Sequence, residues 1–404
     1  MRVGILTTSF PRHPGDVAGC FVLGFARALR ARGHGVEVLC PQPAEASSPG
    51  VFDEIAVRHV PYLRPRALQR TFYNAGAPEN LRADPLAWLG PVPFTLALTA
   101  RAMASRGRWD ALVSHWALPC GVVAGAVAAG RPHLSVLHSA DIHLLSRLPG
   151  RAAIASRLLH SASALWFVSA DGYARFFDLL PRSERARMAG LAHVEPMGVD
   201  PPVPPLLGRL RLRQRLGLKR FTLLSLGRLV PIKGIAEAVE ELGDDESLEL
   251  LVAGDGPERQ RLEQLARHSR LSLRLLGVVA GAEKEALLHA ADGLLLASRP
   301  NGGGRTEGAP TAVLEAMARG LPVIAASTGG LPELLGHGES GLLFDPLERG
   351  SLRAAVGRLR DDAELRTRLS RRALEQSSAR LWPAVAPRIE ALLQPRWAPA
   401  HFPM

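Results

Sequence analysis

The stretch Glu307-Gly-Ala-Pro-Thr-Ala-Val-Leu-Glu315, continued by Ala-Met-Ala-Arg-Gly-Leu-Pro-Val-Ile324, reads as a glycine-rich loop, a helix and a strand. Pro310 suits the first helical turn, where its missing N–H costs nothing. The free N–H groups of that turn, aligned with the helix dipole, make an anion site lined by Gly308, Ala309, Pro310 and Thr311. Glu307 and Glu315 bracket this site as acceptor-only side chains. The pattern suits a ligand with phosphates in its middle and hydroxyls at both ends, which a nucleotide-sugar has.

Strand and helix alternate on the N-terminal side of this unit as well. Phe221–Leu226, Leu248–Ala253, Leu273–Leu276 and Gly293–Leu296 are apolar runs of strand length, and Pro322–Ala325 closes the series. An earlier set comprises Val3–Thr8, Val36–Cys40, Ala111–Ser114, His133–Leu137 and Leu165–Val168. An amphipathic helix from about Phe21 to Arg32, ended by Gly33-His34-Gly35, falls between the first two. Apolar strands separated by helices imply parallel sheets covered on both faces. The proline-rich run Val199-Asp-Pro-Pro-Val-Pro-Pro205 interrupts the alternation. The expected fold class is therefore α/β: two doubly wound Rossmann-like domains, residues 1–200 and 201–379, facing each other across a cleft. An amphipathic helix from about Trp382 to Leu393, within a tail of about 380–404, is expected to pack back on the first domain. Ligands of such sheets bind at the carboxyl ends of the strands. Between Val57 and Ala100 the pattern is poor and assigns elements only loosely.

A length of 404 residues favours two or three domains, and a hydrophobic fraction of 47% with 5% aromatic residues suits an α/β globule rather than a disordered chain. The formal charge of +11 is carried almost wholly by arginine, since Lys219, Lys233 and Lys284 are the only lysines. Such an excess favours nucleic acid, an anionic membrane or a phosphorylated substrate. Nucleic acid is the weak candidate, because no recognition helix, finger or aromatic-interleaved sheet motif accompanies the charge. Cys20, Cys40 and Cys120 show neither disulfide nor metal-ligand spacing, which points to a reducing cytoplasm. Val3–Thr8 is too short for the apolar core of a signal peptide. Ala111 to Gly130 carries no Asp, Glu, Lys or Arg, but His115, Pro119 and several glycines break it. A buried strand followed by a buried helix is expected there rather than a membrane span.

Gly227-Arg228-Leu-Val-Pro-Ile-Lys233-Gly234 follows the first strand of the second domain. Two cations at that carboxyl end would stabilise a diphosphate as its bond to a sugar breaks. The plain alternative is two surface cations in a loop, although a lysine in an arginine-dominated chain argues that lysine itself is required. Ala253-Gly-Asp-Gly-Pro-Glu258 is another glycine-bearing strand-to-helix turn. Gly277-Val278 either places backbone groups against a base or is a simple turn. In the first domain, Ala18-Gly19 precedes a helix and would let a diphosphate or sugar approach the backbone closely. His115 and His138 each end a strand, so both are expected to face the cleft, with Asp141 nearby on the acceptor side; a structural role is the alternative. His138, Asp141 and His143 form a poor metal set without a helical i, i+4 pair, and no metal is expected.

Together these residues resemble the retaining glycosyltransferases of the GT-B fold, the family 4 type, over nearly the whole chain. The resemblance is most specific from Gly227 to Phe344. There Gly-Arg-Leu…Lys-Gly, Gly-Asp-Gly-Pro, Glu…Glu, Gly-Leu-Pro-Val-Ile, Gly-Gly-Leu-Pro-Glu333 and Gly-Leu-Leu-Phe344 come in family order. Arg299-Pro-Asn-Gly-Gly-Gly-Arg-Thr306 looks like the arginine-containing loop of members that build bacterial exopolysaccharides. The resemblance implies that Arg228 and Lys233 hold the donor diphosphate, Glu307 contacts the transferred sugar and Glu315 the ribose hydroxyls. It likewise implies Gly19 against the donor and His138 beside the reacting sugar. It implies retention of anomeric configuration without a metal, by front-face attack, with the departing phosphate helping to take the acceptor's proton. No cofactor is implied, because the nucleotide-sugar is the substrate. No Asp-x-Asp occurs, so the metal motif of the other glycosyltransferase fold is missing. Ala18 and Met197 stand where many members have Gly and Asn.

The implied reaction moves a hexosyl unit to a hydroxyl of a lipid-linked or soluble sugar, in cell-surface polysaccharide or glycolipid assembly, with the domains closing over the donor. Arg58-His-Val-Pro-Tyr-Leu-Arg-Pro-Arg66 and Arg70-Thr-Phe-Tyr73 mix cations with aromatics, and Leu86–Ala100 is nearly charge-free. These features suit peripheral docking on an anionic membrane, at the cytoplasmic face; the alternative is an ordinary basic face with a buried helix. Rival readings are a GT-B-fold sugar-nucleotide epimerase, which needs no acceptor, and a two-lobed sugar-binding protein.

Overall fold

A strand inside a parallel sheet is covered on both faces, so it is built from consecutive apolar residues. The strands of this chain follow that rule most closely where they are central. The computed structural model describes residues 1–44, 50–74, 76–300 and 304–394. These fall into two units, one comprising Met1–His13, Ala18–Glu195 and the chain from Val385, the other Pro14–Val17 and Pro196–Ala384.

In the first unit the strands are β1 (Arg2–Leu6), β2 (Gly35–Pro41), β3 (Val51–Phe52), β4 (Ile55–Val60), β5 (Ala111–His115), β6 (His133–Leu137), β7 (Ala164–Phe167) and β8 (Ala192–Val194). They form one sheet in the order β3-β4-β2-β1-β5-β6-β7-β8, parallel except for the β3–β4 pair. Every residue of β5, β6 and β7 is buried. The strand order reverses between β1 and β5, so the loops leaving their carboxyl ends diverge and leave a crevice. The loop from β1 and the residues that follow β5 and β6 occupy that crevice.

The second unit holds β9 (Phe221–Leu226), β10 (Leu248–Ala253), β11 (Ser272–Gly277), β12 (Gly293–Leu296), β13 (Val323–Ala326) and β14 (Gly341–Phe344). All pairs are parallel, in the order β11-β10-β9-β12-β13-β14. Its reversal lies between β9 and β12, which places the loop Gly227–Gly234 beside the residues Ala297–Pro300 that follow β12. Arg299 N–H donates to the Ile232 carbonyl at 2.9 Å and ties them together.

Several details differ from the sequence expectations. Pro310 is the residue before the helix Thr311–Ala318, with φ −61° and ψ 124°, rather than part of its first turn. β4 and the helix Pro91–Ser105 lie where the pattern was poor: Arg58 and His59 interrupt the apolar run of β4, whose burial is only partial. β8 is a short edge strand with partly exposed residues, and β14 escaped notice as a strand. The charge-free stretch after residue 111 is β5, a kinked turn Ala117–Gly121 and the helix Val122–Val127. Among the described residues no helix is long and apolar enough to cross a membrane. The last helix, Trp382–Leu392, joins the first unit from Val385, where Arg388 Nε meets Glu195 Oε2 at 3.1 Å and Glu390 pairs with Arg32. Residues 395–404 of the expected C-terminal segment, and 301–303 of the Arg299–Thr306 loop, lie outside the described residues.

Candidate active site

At the switch point of the second unit, the loop after β9 presents Lys233 and the loop after β12 presents Glu307. Lys233 Nζ lies 3.0 Å from Glu307 Oε1, and both side chains are largely buried. Burial alone would push the Glu307 carboxyl up. The Lys233 ammonium, with Arg305 and Arg228 beyond it, outweighs burial and holds the carboxyl below its usual range. Glu307 is therefore a carboxylate facing a concentration of positive charge. Arg228 lies exposed on the same loop as Lys233.

Both loops are held by backbone contacts that the glycine motifs make available. Leu229 N–H donates to the Asp255 carbonyl at 2.9 Å, and Glu258 N–H donates to Leu229 at 3.0 Å, so the Gly-Asp-Gly-Pro turn braces the Arg228 loop. Gly330 N–H donates to the Glu307 carbonyl at 3.0 Å. Gly329, at φ 57°, leaves no room for a side chain: a Cβ there would stand 2.2 Å from the same Glu307 oxygen. The Gly-Gly-Leu-Pro motif thus positions Glu307, a role that its place in a family pattern did not disclose.

Glu315 projects from the helix Thr311–Ala318 and pairs with Lys284, whose Nζ is 3.0 Å from Glu315 Oε2. Sequence reading missed Lys284; its signal was the scarcity of lysine, since Lys233 and Lys284 are two of only three. No side chain caps the N-terminus of this helix, which Gly308, Ala309, Pro310 and Thr311 approach. Gly277 ends β11 with φ 75°, and its carbonyl accepts from Gly254 N–H at 2.7 Å, leaving Val278 exposed beside it. The structure therefore brings together Arg228, Lys233, Glu307 and the uncapped helix, with Glu315 farther along that helix.

In the first unit, Gly19 is the N-cap of the helix Cys20–Ala31, with φ 63°. A Cβ there would stand 2.4 Å from the Ser9 carbonyl, so the turn itself requires glycine. His138 occupies the N-cap position of the helix Ser139–Leu145 without a side-chain capping bond, and its Nε2 lies 3.3 Å from His115 Nδ1 with the rings stacked. His115, expected from its place at a strand end to face a cleft, is closed off from solvent. It is fully buried against Phe25 and behind His138, while His138 also contacts Phe21 and Trp116. Asp141 is buried too: its carboxylate accepts from Ala117 N–H at 2.5 Å and from Ile142 N–H at 3.0 Å, which steadies the turn after β5. Among the described residues no group of three or more histidine, cysteine or acidic side chains is arranged to hold a metal ion.

Burial pushes His115, His133 and His138 down, His133 to about 4, so all three are neutral near pH 7. An unfolded chain protonates them near 6.5, so it gains protons on acidification that the folded chain does not, and stability falls between 6.5 and about 4. Asp141 acts in the opposite sense. Burial pushes it up from 3.8 to about 7, against backbone N–H donors, so its folded form holds an extra proton in this window and gains stability as pH falls. Thermal unfolding at stepped pH is expected to show a falling midpoint across this window, and Asp141→Asn is expected to steepen the fall. A flat profile in both proteins would contradict this reading.

Comparison with known proteins identifies the family and the fold. Residues 209–376 match the family model described as glycosyl transferases group 1, and residues 18–192 match the glycosyl transferase 4-like domain. TuaC of Bacillus subtilis, a glycosyltransferase named for teichuronic acid biosynthesis, is 28% identical over 387 residues, 89% of each chain. The GDP-mannose-dependent alpha-(1-6)-phosphatidylinositol monomannoside mannosyltransferase of Mycobacterium tuberculosis is 27% identical over 376 residues, 90% of each. The crystal structure of Anabaena HepE in complex with UDP and glucose superimposes with a TM-score of 0.73 at 22% identity, covering 97% of this chain and 99% of that one, and shows the same fold. The chain belongs to the group 1 glycosyl transferases of the family 4 type, and it is a glycosyltransferase of the GT-B fold.

Proposed function

We propose that the chain transfers a hexosyl unit from a nucleoside diphosphate-sugar to a hydroxyl, with retention of anomeric configuration and without a metal ion. The observation that carries this reading is the Lys233–Glu307 pair at the switch point of the second sheet, beside Arg228 and an uncapped helix N-terminus. Lys233, Arg228 and the helix amides supply the positive charge that the leaving diphosphate needs as its bond to the sugar lengthens. A donor phosphate entering this site competes with Glu307 for Lys233, which frees the Glu307 carboxylate to accept hydrogen bonds from the sugar hydroxyls. Glu315 receives the ribose hydroxyls in the same way, at the expense of its contact with Lys284.

His138, held neutral by burial, serves as a hydrogen-bonding group beside the sugar rather than as a cation or a titrating base. His115 and Asp141 act behind it, by fixing its ring and the turn after β5. The departing phosphate takes the acceptor's proton, so none of the proposed residues is required as a nucleophile. The nucleotides named for similar proteins differ, GDP-mannose for the mannosyltransferase and UDP for the HepE complex, so the base is a property to be measured.

The test is a panel of nucleotide-sugars, UDP-glucose and GDP-mannose included, scored by thermal shift and then by nucleoside diphosphate release with and without sugar acceptors. Acceptor-dependent release supports transfer; interconversion of the donor sugar without an acceptor supports an epimerase instead. Glu315→Ala is expected to weaken donor binding by roughly tenfold, the worth of one charge-assisted hydrogen bond. Calorimetric titration checks it, and unchanged affinity would remove Glu315 from the ribose site.

A further inference from the structure

We propose that the first unit carries a groove for the phosphate headgroup of an anionic membrane lipid, beside an exposed apolar helix face that enters the bilayer surface. The groove is open, about 890 Å³ in volume, and lies at the carboxyl end of β4 against the helix Pro91–Ser105. Arg64, Arg66 and Arg101 line it, and no carboxylate does. Neighbouring arginines are neutralised: Arg58 by Glu37, Arg70 by Asp84 and Arg82 by Glu79. Arg64, Arg66 and Arg101 make no ion pair among the described residues.

Two buried nitrogens in the same wall point to a ligand. Gln69 is 3% exposed, and its Oε1 accepts from Tyr62 N–H, while its Nε2 has no partner. His59 Nε2 is likewise buried without a partner. A buried amide N–H left unmatched is costly, and phosphate oxygens arriving between these nitrogens and the three guanidinium groups would supply the missing acceptors.

The apolar face says what carries that phosphate. Val92, Leu96 and Met103 follow helical spacing on one side of Pro91–Ser105, at 68%, 67% and 42% exposure, while Phe94, Leu98 and Ala102 fill the core on another. Trp88 and Leu89, just before the helix, extend the exposed patch, and Trp88 Nε1 is anchored on the Leu81 carbonyl at 2.7 Å. Ala97, Ala100, Arg101 and Ala104 of this helix wall the groove, so patch and groove meet along a single element. A helix that is apolar on its outer as well as its inner face needs a non-aqueous neighbour. Unpaired arginines at the rim select an anionic one, and a bilayer interface takes Trp, Leu and Val beside Arg. The docking is independent of the proposed transfer reaction, and its test reads binding rather than catalysis.

Full-length protein is mixed with vesicles of phosphatidylcholine alone or of phosphatidylcholine with phosphatidylglycerol, and the bound fraction is measured by flotation. Binding is expected only with phosphatidylglycerol. Each of Arg64→Ala, Arg66→Ala and Arg101→Ala is expected to lower the partition coefficient roughly fivefold. Gln69→Leu should lower it with the net charge unchanged, and Val92→Ser with Leu96→Ser should abolish it; unfolding midpoints confirm that each variant folds. Arg157→Ala, on the separate helix Arg151–Ser161, should leave it unaltered. An equal loss in Arg157→Ala would reduce the effect to net charge and overturn the groove. Complete displacement by inorganic phosphate, with no dependence on the apolar face, would make the groove a site for a soluble anion and overturn the membrane. So would a dimer in solution that Val92→Ser with Leu96→Ser dissolves, without vesicle binding by the parent protein.

Discussion

Lys233→Ala is expected to lower transfer by roughly a hundredfold to a thousandfold, the cost of removing one preorganised charge from the site of a developing anion. The loss should fall on kcat more than on KM, because Lys233 is already matched by Glu307 before the donor arrives and its charge is needed most as the phosphate departs. A second signature distinguishes this from simple loss of a binding contact. Without the ammonium, burial of the Glu307 carboxyl is opposed by the weaker effects of Arg305 and Arg228, so the group takes up a proton at higher pH. The acid limb of the pH–rate profile is therefore expected to move upward in Lys233→Ala. Lys233→Arg keeps the charge and should restore the profile, but it should recover only part of the rate, since a planar guanidinium does not occupy the place of a compact ammonium. Steady-state kinetics across pH on the three proteins measures all of this. An unshifted acid limb in Lys233→Ala would show that the pair does not govern Glu307.

Gly329→Ala is expected to lower transfer by roughly a hundredfold although residue 329 touches no substrate in this account. Its φ of 57° costs a side-chain-bearing residue about 1–2 kcal/mol, and the added carbon would lie 2.2 Å from the Glu307 carbonyl and 2.8 Å from Thr306 Cβ. The chain can relieve such overlap only by moving the Glu307 backbone, and a displacement near 1 Å is enough for a loss of that size. Gly338→Ala separates this effect from instability. That glycine also has a positive φ, 103°, but its Cβ would meet nothing within 4 Å. It should lower the unfolding midpoint and leave the rate nearly unchanged, whereas Gly329→Ala should lower both. Equal activity in the two variants would detach the Gly-Gly-Leu-Pro motif from Glu307.

The fold was legible where burial is uniform. Phe221–Leu226, Leu248–Ala253 and Gly293–Leu296 run between the same residues in the sequence reading and in the structure, because strands covered on both faces are written as unbroken apolar runs. Legibility failed at β4, where Arg58 and His59 face partly open ground, and at β8, a short edge strand with a partner on one side only. It also failed where the relevant neighbour is distant in the chain. Nothing local to Lys233 names Glu307, and nothing local to Lys284 names Glu315; the pairs exist because β9, β12 and the elements beside them bring separate loops together. Burial of His115 behind His138 was equally hidden, since a histidine at a strand end reads the same whether it points outward or is covered by aromatic rings.

The central claim is that protein cations, rather than a metal, receive the leaving diphosphate while the new bond forms on the face that the old one left. The most direct measurement follows the reaction by NMR in the presence of EDTA, with the donor that the panel selects, and reads the one-bond carbon–proton coupling at the anomeric centre of the newly formed linkage. The account predicts the donor's own anomer in the first product, at a rate that the chelator does not change. An inverted anomer, or transfer that stops with EDTA and returns with a divalent cation, would contradict it.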